Sequence, residues 1–244
     1  MLSQNNNSHD AEDIRAEGYV KDCSESYAKS LLLIGGGGHA LSVLEALYNN
    51  PASGSGYEKI AVLDMPEKVG SMLLDLPIIG TEADLGALRS DYTHAFISVG
   101  SIGGWRTRER LYRLVDGRGY TIPNIIHPKA CLSRYSRYKT GIFAGANVTV
   151  NAGSDIRELC ILNTGCIVEH GCFVGAYAHI APGAIICGDA RIGAGTHIGA
   201  GSTVIQGVKV GEDAIIGAGS VVTRDIPDRV VAYGAPCRVI RPNA

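Results

Sequence analysis

The sequence lacks three features that would each assign it to a broad class of protein. Its 244 residues carry 22 Lys and Arg against 24 Asp and Glu, so there is no basic excess for binding nucleic acid or an anionic membrane. No apolar run reaches the roughly 20 residues of a transmembrane helix, and the polar N-terminus has no signal-peptide core. We therefore expect a cytoplasmic protein that neither binds nucleic acid nor inserts into a membrane.

Cysteine pairs of the kind that bind zinc are also missing. None of the seven cysteines forms a CxxC pair. Cys160, Cys166 and Cys172 recur at positions where neighbouring repeats carry Ala or Ser. Because a free cysteine packs as a small apolar residue, we expect these three side chains in the interior.

What the sequence does contain is an aliphatic residue at every sixth position from about residue 142 to 225. Two residues before each lies a second inward position, which from Val148 onward holds only Ala, Ser, Thr, Cys or Val. This period fits neither an α-helix nor an alternating strand, so it predicts a parallel β-helix of short strands and corners. We expect glycines such as Gly193, Gly199, Gly211 and Gly217 to turn the corners. The aliphatic series is Ala144, Val150, Ile156, Leu162, Val168, Val174, Ile180, Ile186, Ile192, Ile198, Val204, Val210, Ile216 and Val222.

Residues 30–127 instead alternate strands with helices, which predicts a small Rossmann-like α/β domain with a parallel sheet. Residues 1–29 lack an aliphatic pattern and are predicted to be a flexible extension. Residues 128–244 are assigned to the β-helix and a C-terminal cap. The predicted strands are Ser30–Ile34, Ile60–Asp64, Leu76–Ile79, Ala95–Val99 and Thr121–Ile126, and the predicted helices are His39–Tyr48 and Arg106–Val115.

A run of four glycines, Gly35 to Gly38, follows the first predicted strand and opens the first helix. Glycines let a ligand approach the backbone, and the helix N-terminus offers N–H groups to a phosphate. Asp64 and Gly100 end two other strands at the same edge of the sheet, where open α/β sheets bind ligands. The alternatives are a purely structural glycine turn and a strand-end turn role for Asp64.

Three further residues of this domain have roles that the sequence leaves open. His39 either donates to a phosphate from the helix start or is a solvated first-turn residue. Arg108 either reaches a phosphate or lies on a solvated helix face. Trp105, the only tryptophan, is expected to pack against neighbouring side chains.

The hexad period separates the three histidines of the repeat. His179 and His197 each precede an inward Ile and lie 18 residues apart, so we expect them to stack outward on one face. His170 lies at a corner, and a neutral imidazole can accept the proton that an amine or hydroxyl loses on attacking an acyl group. A three-histidine zinc site of the carbonic anhydrase kind needs a close pair, which these spacings do not supply.

Two polar residues directly follow inward positions on adjoining faces. Glu169 could orient an imidazole or be solvated, and Asn163 could cap a turn or bind a ligand. An exposed structural role also stays open for each histidine taken singly.

Together these residues resemble the sialic-acid and bacillosamine pathway sugar acyltransferases over about residues 31–240. The motifs that carry the resemblance are IGGGGHA (34–40), VLD (62–64), SVG (98–100), NIIHPKA (124–130), ILNTGCIVEHGCFVGAYAHIAPGA (161–184) and IIGAGSVVTRDIP near the C-terminus. The resemblance implies a left-handed β-helix and a homotrimer with active sites between neighbouring β-helices. It also implies acetyl-CoA-dependent N-acetylation of a nucleotide-linked amino sugar for polysaccharide or glycan biosynthesis, without a metal.

The resemblance also implies roles for individual residues. It makes His170 the catalytic base, with Glu169 beside it. Family members often carry an acidic residue directly after the base, whereas this chain has Gly171, so the partner of the base could come from elsewhere. His179, Ala200 and Ala218 match contacts to acetyl-CoA, and Gly37, Gly38, His39, Asp64 and Gly100 match contacts to the nucleotide sugar; Asn163 joins that substrate-binding set.

Other functions remain compatible with the sequence. O-acetylation of a sugar or sialic-acid precursor needs the same base, and a β-helical scaffold or regulatory partner would need none. A nicotinamide oxidoreductase is disfavoured because the α/β region spans only about 100 residues, too few for a dinucleotide site and a substrate site. Neither the nucleotide nor the sugar can be assigned from these residues.

Overall fold

The computed structural model describes residues 29–49 and 56–243. Within them an α/β region packs against a β-helix that runs to the C-terminus. The predicted flexible extension, together with Cys23, lies outside the described residues except for Lys29. In the described part of the chain, neither helix has the length and apolar character needed to cross a membrane.

The α/β region is a five-stranded sheet with a helix on each face. Its strands are β1 (Ser30–Ile34), β2 (Lys59–Leu63), β3 (Met72–Leu73), β4 (Leu76–Gly80) and β5 (His94–Ile97), in the order β3-β4-β2-β1-β5. The helices are α1 (Gly38–Tyr48) and α2 (Trp105–Asp116), with 3-10 turns at Pro66–Lys68, Glu82–Leu85 and Ala87–Ser90. All pairs are parallel except β3 with β4.

Alternate side chains of β1 enter two separate cores. Leu31 and Leu33 pack with the apolar face of α1, and Leu32 and Ile34 pack with that of α2. Because successive side chains of a strand point to opposite faces, a strand covered on both sides must be apolar throughout. The sequence SLLLI meets this requirement and places β1 in the middle of the sheet.

The predicted elements of this region agree with the structure to within two residues, with one exception. The strand predicted over Thr121–Ile126 is wrong. Thr121 makes only an isolated bridge to His94, whereas Ile125–Ile126 pairs with Phe143–Ala144 as the first strand of the β-helix. The proline between the two parts has no N–H to donate to a continuous ladder.

The β-helix consists of three parallel sheets of two-residue strands, which we name sheets I, II and III, in an arrangement typical of the left-handed kind. Sheet I contains Ile125–Ile126, Phe143–Ala144, Ile161–Leu162, His179–Ile180, His197–Ile198 and Ile215–Ile216, followed by the capping hairpin Val230–Gly234 and Cys237–Pro242. Sheet II contains Cys131–Leu132, Thr149–Val150, Ile167–Val168, Ile185–Ile186, Thr203–Val204 and Val221–Val222. Sheet III contains Arg137–Tyr138, Asp155–Ile156, Phe173–Val174, Arg191–Ile192 and Lys209–Val210.

The predicted interior of the β-helix is confirmed. Every residue of the inward aliphatic series is buried. Cys160, Cys166 and Cys172 lie in the same core, and burial raises the pKa of the first two thiols to about 12. These cysteines are therefore neutral packing residues rather than nucleophiles or metal ligands.

The corners use glycine in a different way from the prediction. The left-handed backbone conformation falls at positions such as Gly195 and Gly201, with φ of +68° and +64°. Gly199 lies beside them without a positive φ, and a Cβ there would stand 2.5 Å from the backbone nitrogen of Ala218. The same holds for the other three glycines expected to turn the chain, Gly193, Gly211 and Gly217, which instead allow neighbouring segments to approach closely.

A fully buried arginine joins the two regions. The guanidinium of Arg108 donates to the carbonyl oxygens of Ile97 and Val99 at the end of β5 and to that of Leu159, at 2.9 Å, in the β-helix. Burial lowers its pKa to about 10, which still leaves it charged at neutral pH. Arg108 is therefore neither on a solvated helix face nor free to reach a phosphate, the two roles considered from the sequence.

Candidate active site

A cavity of about 420 Å³ opens where the glycine loop meets the turn from sheet I to sheet II, which we name corner I/II. Five residues singled out in the sequence line it: Gly38, His39, Gly100, Asn163 and His179. Three lining residues, Ser42, Ser101 and Ile102, were not predicted. Ser42 lies one helical turn after Gly38, a spacing that could have indicated it.

The glycine loop is held by Asp64. Its carboxylate accepts hydrogen bonds from the backbone of Gly36 at 3.0 Å and of Met65 at 2.8 Å, and it pairs with Lys68 at 2.8 Å. Burial would raise the pKa of this carboxyl, but these hydrogen bonds outweigh burial and lower it. Asp64 is thus an ionised group that fixes the loop against β2, and a carboxylate has lone pairs left for a ligand.

The ring of His179 is fixed in one tautomer. Its Nδ1 lies 2.7 Å from the carbonyl oxygen of Ser101. Because a carbonyl only accepts, Nδ1 must carry the hydrogen, and Nε2 of the neutral ring must be the acceptor. Nε2 lies 3.4 Å from the amide nitrogen of Asn163, whose Oδ1 accepts the backbone N–H of Thr164 at 2.8 Å.

The predicted outward stack of His179 and His197 is confirmed. The two residues are paired in sheet I, with ring centroids 4.8 Å apart. The α/β region covers them, so that they are only 9% and 8% exposed. Burial lowers the pKa of His179, and burial together with His179 lowers the pKa of His197 to about 4. Both rings are therefore neutral at physiological pH.

His39 belongs to the same buried group. Its ring meets Phe143 edge to face, with centroids 4.9 Å apart, so it is not the solvated first-turn residue considered above. Burial, followed by Arg108 and His179, lowers its pKa to about 3. His39 can therefore offer one hydrogen bond to a ligand, but it brings no positive charge to a phosphate.

His170 lies elsewhere, exposed at the turn from sheet II to sheet III, which we name corner II/III. Its ring covers Gly188, where an added Cβ would stand 2.5 Å from Cε1. A Cβ on Gly171 would stand 2.2 Å from Oδ1 of Asp189, so the Asp189 carboxylate occupies the space of a side chain at 171. The neighbouring Glu169 carboxylate accepts a hydrogen bond from Asn151 at 2.9 Å.

Ala200 and Ala218 lie exposed in one column along corner I/II. The carbonyl oxygen of Ala200 accepts the N–H of Gly219 at 2.8 Å, and that of Pro182 accepts the N–H of Gly201 at 2.9 Å. The small residues of this column leave the backbone open along the β-helix. The predicted residues thus divide between two corners, since sheet II separates Ala200, Ala218 and the cavity from His170.

A metal centre is not apparent in the described residues, because nowhere among them do three or more His, Cys, Asp or Glu side chains form a possible ion-binding group.

Comparison with known proteins decides the family. The model of the PglD N-terminal domain matches residues 30–115, and hexapeptide-repeat models match residues 165–198 and 189–224. A mutant of perosamine N-acetyltransferase from Caulobacter crescentus, solved in complex with CoA and GDP-perosamine, is 35% identical with a TM-score of 0.80, covering 88% of this chain and 98% of that one. The chain belongs to this family of sugar N-acetyltransferases.

Two other solved structures are similar to this chain. The acetyltransferase domain of PglB from Neisseria gonorrhoeae, in complex with acetyl coenzyme A, is 32% identical with a TM-score of 0.80, covering 88% of this chain and all 100% of that one. WeeI from Acinetobacter baumannii, at 22% identity and a TM-score of 0.78, shares the fold. The match to the PglD N-terminal domain includes the glycine loop and Gly100. The two hexapeptide matches include His170 and Ala200, respectively.

Proposed function

We propose that this N-acetyltransferase moves the acetyl group of acetyl-CoA to the amino group of a nucleotide-linked sugar. The observation that carries the proposal is the cavity in which the glycine loop of the α/β region meets Asn163 and His179 of the β-helix. A nucleotide at the carboxyl edge of the sheet would extend its sugar toward that corner. The relatives solved with CoA and GDP-perosamine and with acetyl coenzyme A support the same pair of substrates.

The nucleotide diphosphate is assigned to the start of α1. Gly37 and Gly38 present backbone N–H groups there, and the first turn contains no acidic side chain to repel an anion. A Cβ on either glycine would meet no atom within 4 Å, so the fold itself does not require glycine at these two positions. We assign Gly37, Gly38, His39, Asp64, Gly100 and Asn163 to substrate binding.

Acetyl-CoA is assigned to corner I/II. The pantetheine would lie on the backbone beside Ala218 and Ala200, and the thioester would reach the cavity near His179. Six free cysteines in the described residues fit a reducing compartment, which supports a cytoplasmic enzyme with access to acetyl-CoA.

A second chain is needed to bring His170 to this cavity. The outer face of sheet II is apolar and half-exposed, with Ile167, Ile185 and Val221 among its side chains, whereas sheet III presents charged residues. Sheet II lies between corners I/II and II/III. A neighbouring chain packed on it would set its corner II/III against corner I/II of the first, and repetition of this head-to-tail contact closes a ring, here a homotrimer.

The proposed reaction is a direct acyl transfer. The amine nitrogen attacks the thioester carbonyl carbon, a C–N bond forms, the C–S bond breaks and CoA leaves as the thiolate. His170 of the neighbouring chain accepts the proton lost by the amine, and Asp189 supplies the carboxylate that position 171 lacks. The developing oxyanion needs a hydrogen-bond donor, and Nε2 of His179 is an acceptor. A backbone N–H at the corner therefore stabilises the oxyanion.

An assay of thiol release separates the candidate functions. With acetyl-CoA, CoA should appear only when an amino-sugar nucleotide such as GDP-perosamine, or its UDP or dTDP counterpart, is added. Release with the corresponding 4-hydroxy sugar and not with the amine would favour O-acetylation. No release with any sugar would favour a scaffold, and a change in nicotinamide absorbance would favour an oxidoreductase.

Mixing two inactive variants tests the shared site. His170→Ala and Asn163→Ala each damage every site of a homotrimer, but a mixed oligomer contains sites with both residues intact. We expect activity to return when the two chains are refolded or expressed together. Mixed oligomers that form and stay inactive would contradict a site built from two chains.

A further inference from the structure

A second cavity, of about 250 Å³, adjoins the first and shares Ser42 with it. It lies between α1 and the first coils of the β-helix, and Phe143 forms part of its wall. Ligand clefts for larger molecules usually exceed roughly 300 Å³, so this space suits a single ring rather than a nucleotide. None of the functional residues expected from the sequence lines it.

His127 gives this cavity a fixed hydrogen-bond donor. The residue is only 4% exposed, and its Nδ1 accepts the backbone N–H of Lys129 at 3.0 Å. Nδ1 therefore carries no hydrogen, and the neutral ring must carry it on Nε2. Among the described residues no group hydrogen-bonds to Nε2. Because Nε2 is also not one of the fully buried polar atoms that lack a partner, it is accessible, and His127 presents Nε2–H to the cavity that it lines.

The position of His127 in the coil is the same as that of Asn163, two coils later. The ladder is continuous: the N–H of His127 donates to Ala144, and that of Gly145, one coil on, donates to Leu162. Gly145 carries no side chain, and its backbone lines the cavity between the two polar residues. Beyond Asn163 the same position holds only small residues, Ala181, Gly199 and Gly217, so corner I/II changes from polar to small along its length.

On the side of α1 the cavity is lined by the polar residues Ser42 and Glu45 and by the apolar side chain of Leu41. Ser42 and Glu45 follow Gly38 by four and seven residues, so the three lie along one face of the helix. At a rise of 1.5 Å per residue, Glu45 lies about 10 Å along the axis from Gly38. Thr164 lines the β-helix side of the cavity, and its hydroxyl lies 3.5 Å from Oδ1 of Asn163.

We propose that this second cavity is the hexose subsite, in which Nε2–H of His127 donates to a sugar oxygen. The inference rests on the proposed function, because it continues the nucleotide sugar from the diphosphate at Gly38, past Ser42, into the cavity. Hydroxyl, carboxylate and imidazole groups beside an aromatic wall suit a sugar ring better than an acyl chain.

Binding measurements separate this subsite from the nucleotide site. GDP, UDP and dTDP are first compared by thermal shift, and the best of them is titrated by calorimetry beside its 4-amino-4,6-dideoxyhexose derivative. The sugar derivative should bind more tightly than the bare nucleotide. Equal affinities would overturn the hexose subsite alone, whereas binding of no nucleotide at all would overturn the proposed function and the subsite with it.

Two substitutions of His127 each remove one of its two hydrogen bonds and keep the other. His127→Asn keeps an acceptor for the N–H of Lys129 and loses the donor to the cavity, and His127→Gln does the reverse. We expect His127→Asn to weaken binding of the sugar derivative about five- to tenfold, the value of one hydrogen bond, with no change for the bare nucleotide. His127→Gln should keep most of the affinity for the sugar derivative.

The opposite ranking would show that His127 only supports the turn at Lys129. In the enzymatic assay, His127→Asn should raise KM for the sugar nucleotide and leave KM for acetyl-CoA unchanged. A raised KM for acetyl-CoA alone would assign the cavity to the acyl donor and overturn the proposal.

Discussion

In the β-helix, a Cβ on Gly193 or Gly199 would stand 2.4 or 2.5 Å from the backbone of the neighbouring coil. In the α/β region, a Cβ on Gly37 or Gly38 would find no atom within 4 Å. None of these four residues has a positive φ, so backbone conformation explains neither group. The β-helix needs its glycines for packing, whereas the second half of the glycine loop leaves open space at the place proposed for the diphosphate.

The same division applies to the histidines. His39, His179 and His197, which lie between the two regions, have lowered pKa values and are neutral at physiological pH, whereas His170 is exposed and no described side chain hydrogen-bonds to its ring. Buried groups are expected to affect stability and exposed ones to affect rate. The following changes test that separation.

His170→Ala should have the largest effect, and only on rate. Loss of a general base lowers kcat by about 10²–10⁴-fold. The melting temperature should not change, because the side chain is exposed. Asp189→Asn should lower kcat by less, because the Asp189 carboxylate lies beside Gly171 without a hydrogen bond to the His170 ring. Full activity of His170→Ala would show that His170 is not the general base.

Gly199→Ala should affect stability rather than chemistry. The added methyl group meets backbone and not a movable side chain, so the coils must shift. Overpacking of this kind costs about 1–3 kcal/mol of unfolding free energy. Denaturant unfolding monitored by circular dichroism measures the loss, with Gly37→Ala as the matched control. Equal stability of the two variants would show that Gly199 is not required for packing between coils.

Gly38→Ala should give the reverse result. The fold has room for the methyl group, and alanine restricts the unfolded chain, so stability should be unchanged or slightly higher. The methyl group enters the cavity and separates a phosphate from the backbone, which should weaken nucleotide binding by roughly tenfold or more. Calorimetric titration measures that loss. Unaltered affinity would mean that the diphosphate binds elsewhere.

Acid pH should reveal a difference in stability that is absent at neutral pH. Folding lowers the pKa of His197 from 6.5 to about 4, so the unfolded chain binds the proton more readily. Stability is therefore complete above pH 6.5 and falls as the pH drops from 6.5 toward 4. His197→Phe should make the fall in melting temperature shallower over that window, because only His39 and His179 would still contribute from this group, and leave it unchanged at pH 7.5. An equally steep acid slope in the variant would assign the effect to other groups.

The hexad period predicted the features that the repeat itself determines, but not those that depend on contact between the two regions. The hexads were sufficient for the buried series and for the pairing of His179 with His197. They carried no information on the α/β region that covers this pair, because hexad spacing describes one chain segment and not its neighbour. The alignment of His127 with Asn163 cannot be predicted from the hexads, because it depends on the pairing of Ile125–Ile126 with Phe143–Ala144, and the sequence pattern places Ile125–Ile126 in the α/β sheet instead.

Arg108 shows a second limit of sequence patterns. Arg108 precedes the buried Leu111 and Val115 by three and seven residues, on the same face of α2, but arginine is usually exposed and its burial was not predicted. Its burial depends on three carbonyl oxygens from β5 and from Leu159 converging at one point. Ser101 and Ile102 were not predicted for a similar reason, since loop residues have no period, and the contact of the Ser101 carbonyl oxygen with His179 joins two distant parts of the chain.

The coil of 18 residues also restricts how this gene can change in length. An inserted or deleted hexad between Asn163 and Ala200 would rotate every later residue by one sheet, moving Ala200 and Ala218 away from the cavity. A whole coil would keep their face but shift them along the axis by one strand spacing, about 4.8 Å. Viable length variants should therefore accumulate after Ala218, in steps of three hexads, where an added coil lengthens the β-helix without disturbing the distance between thioester and amine.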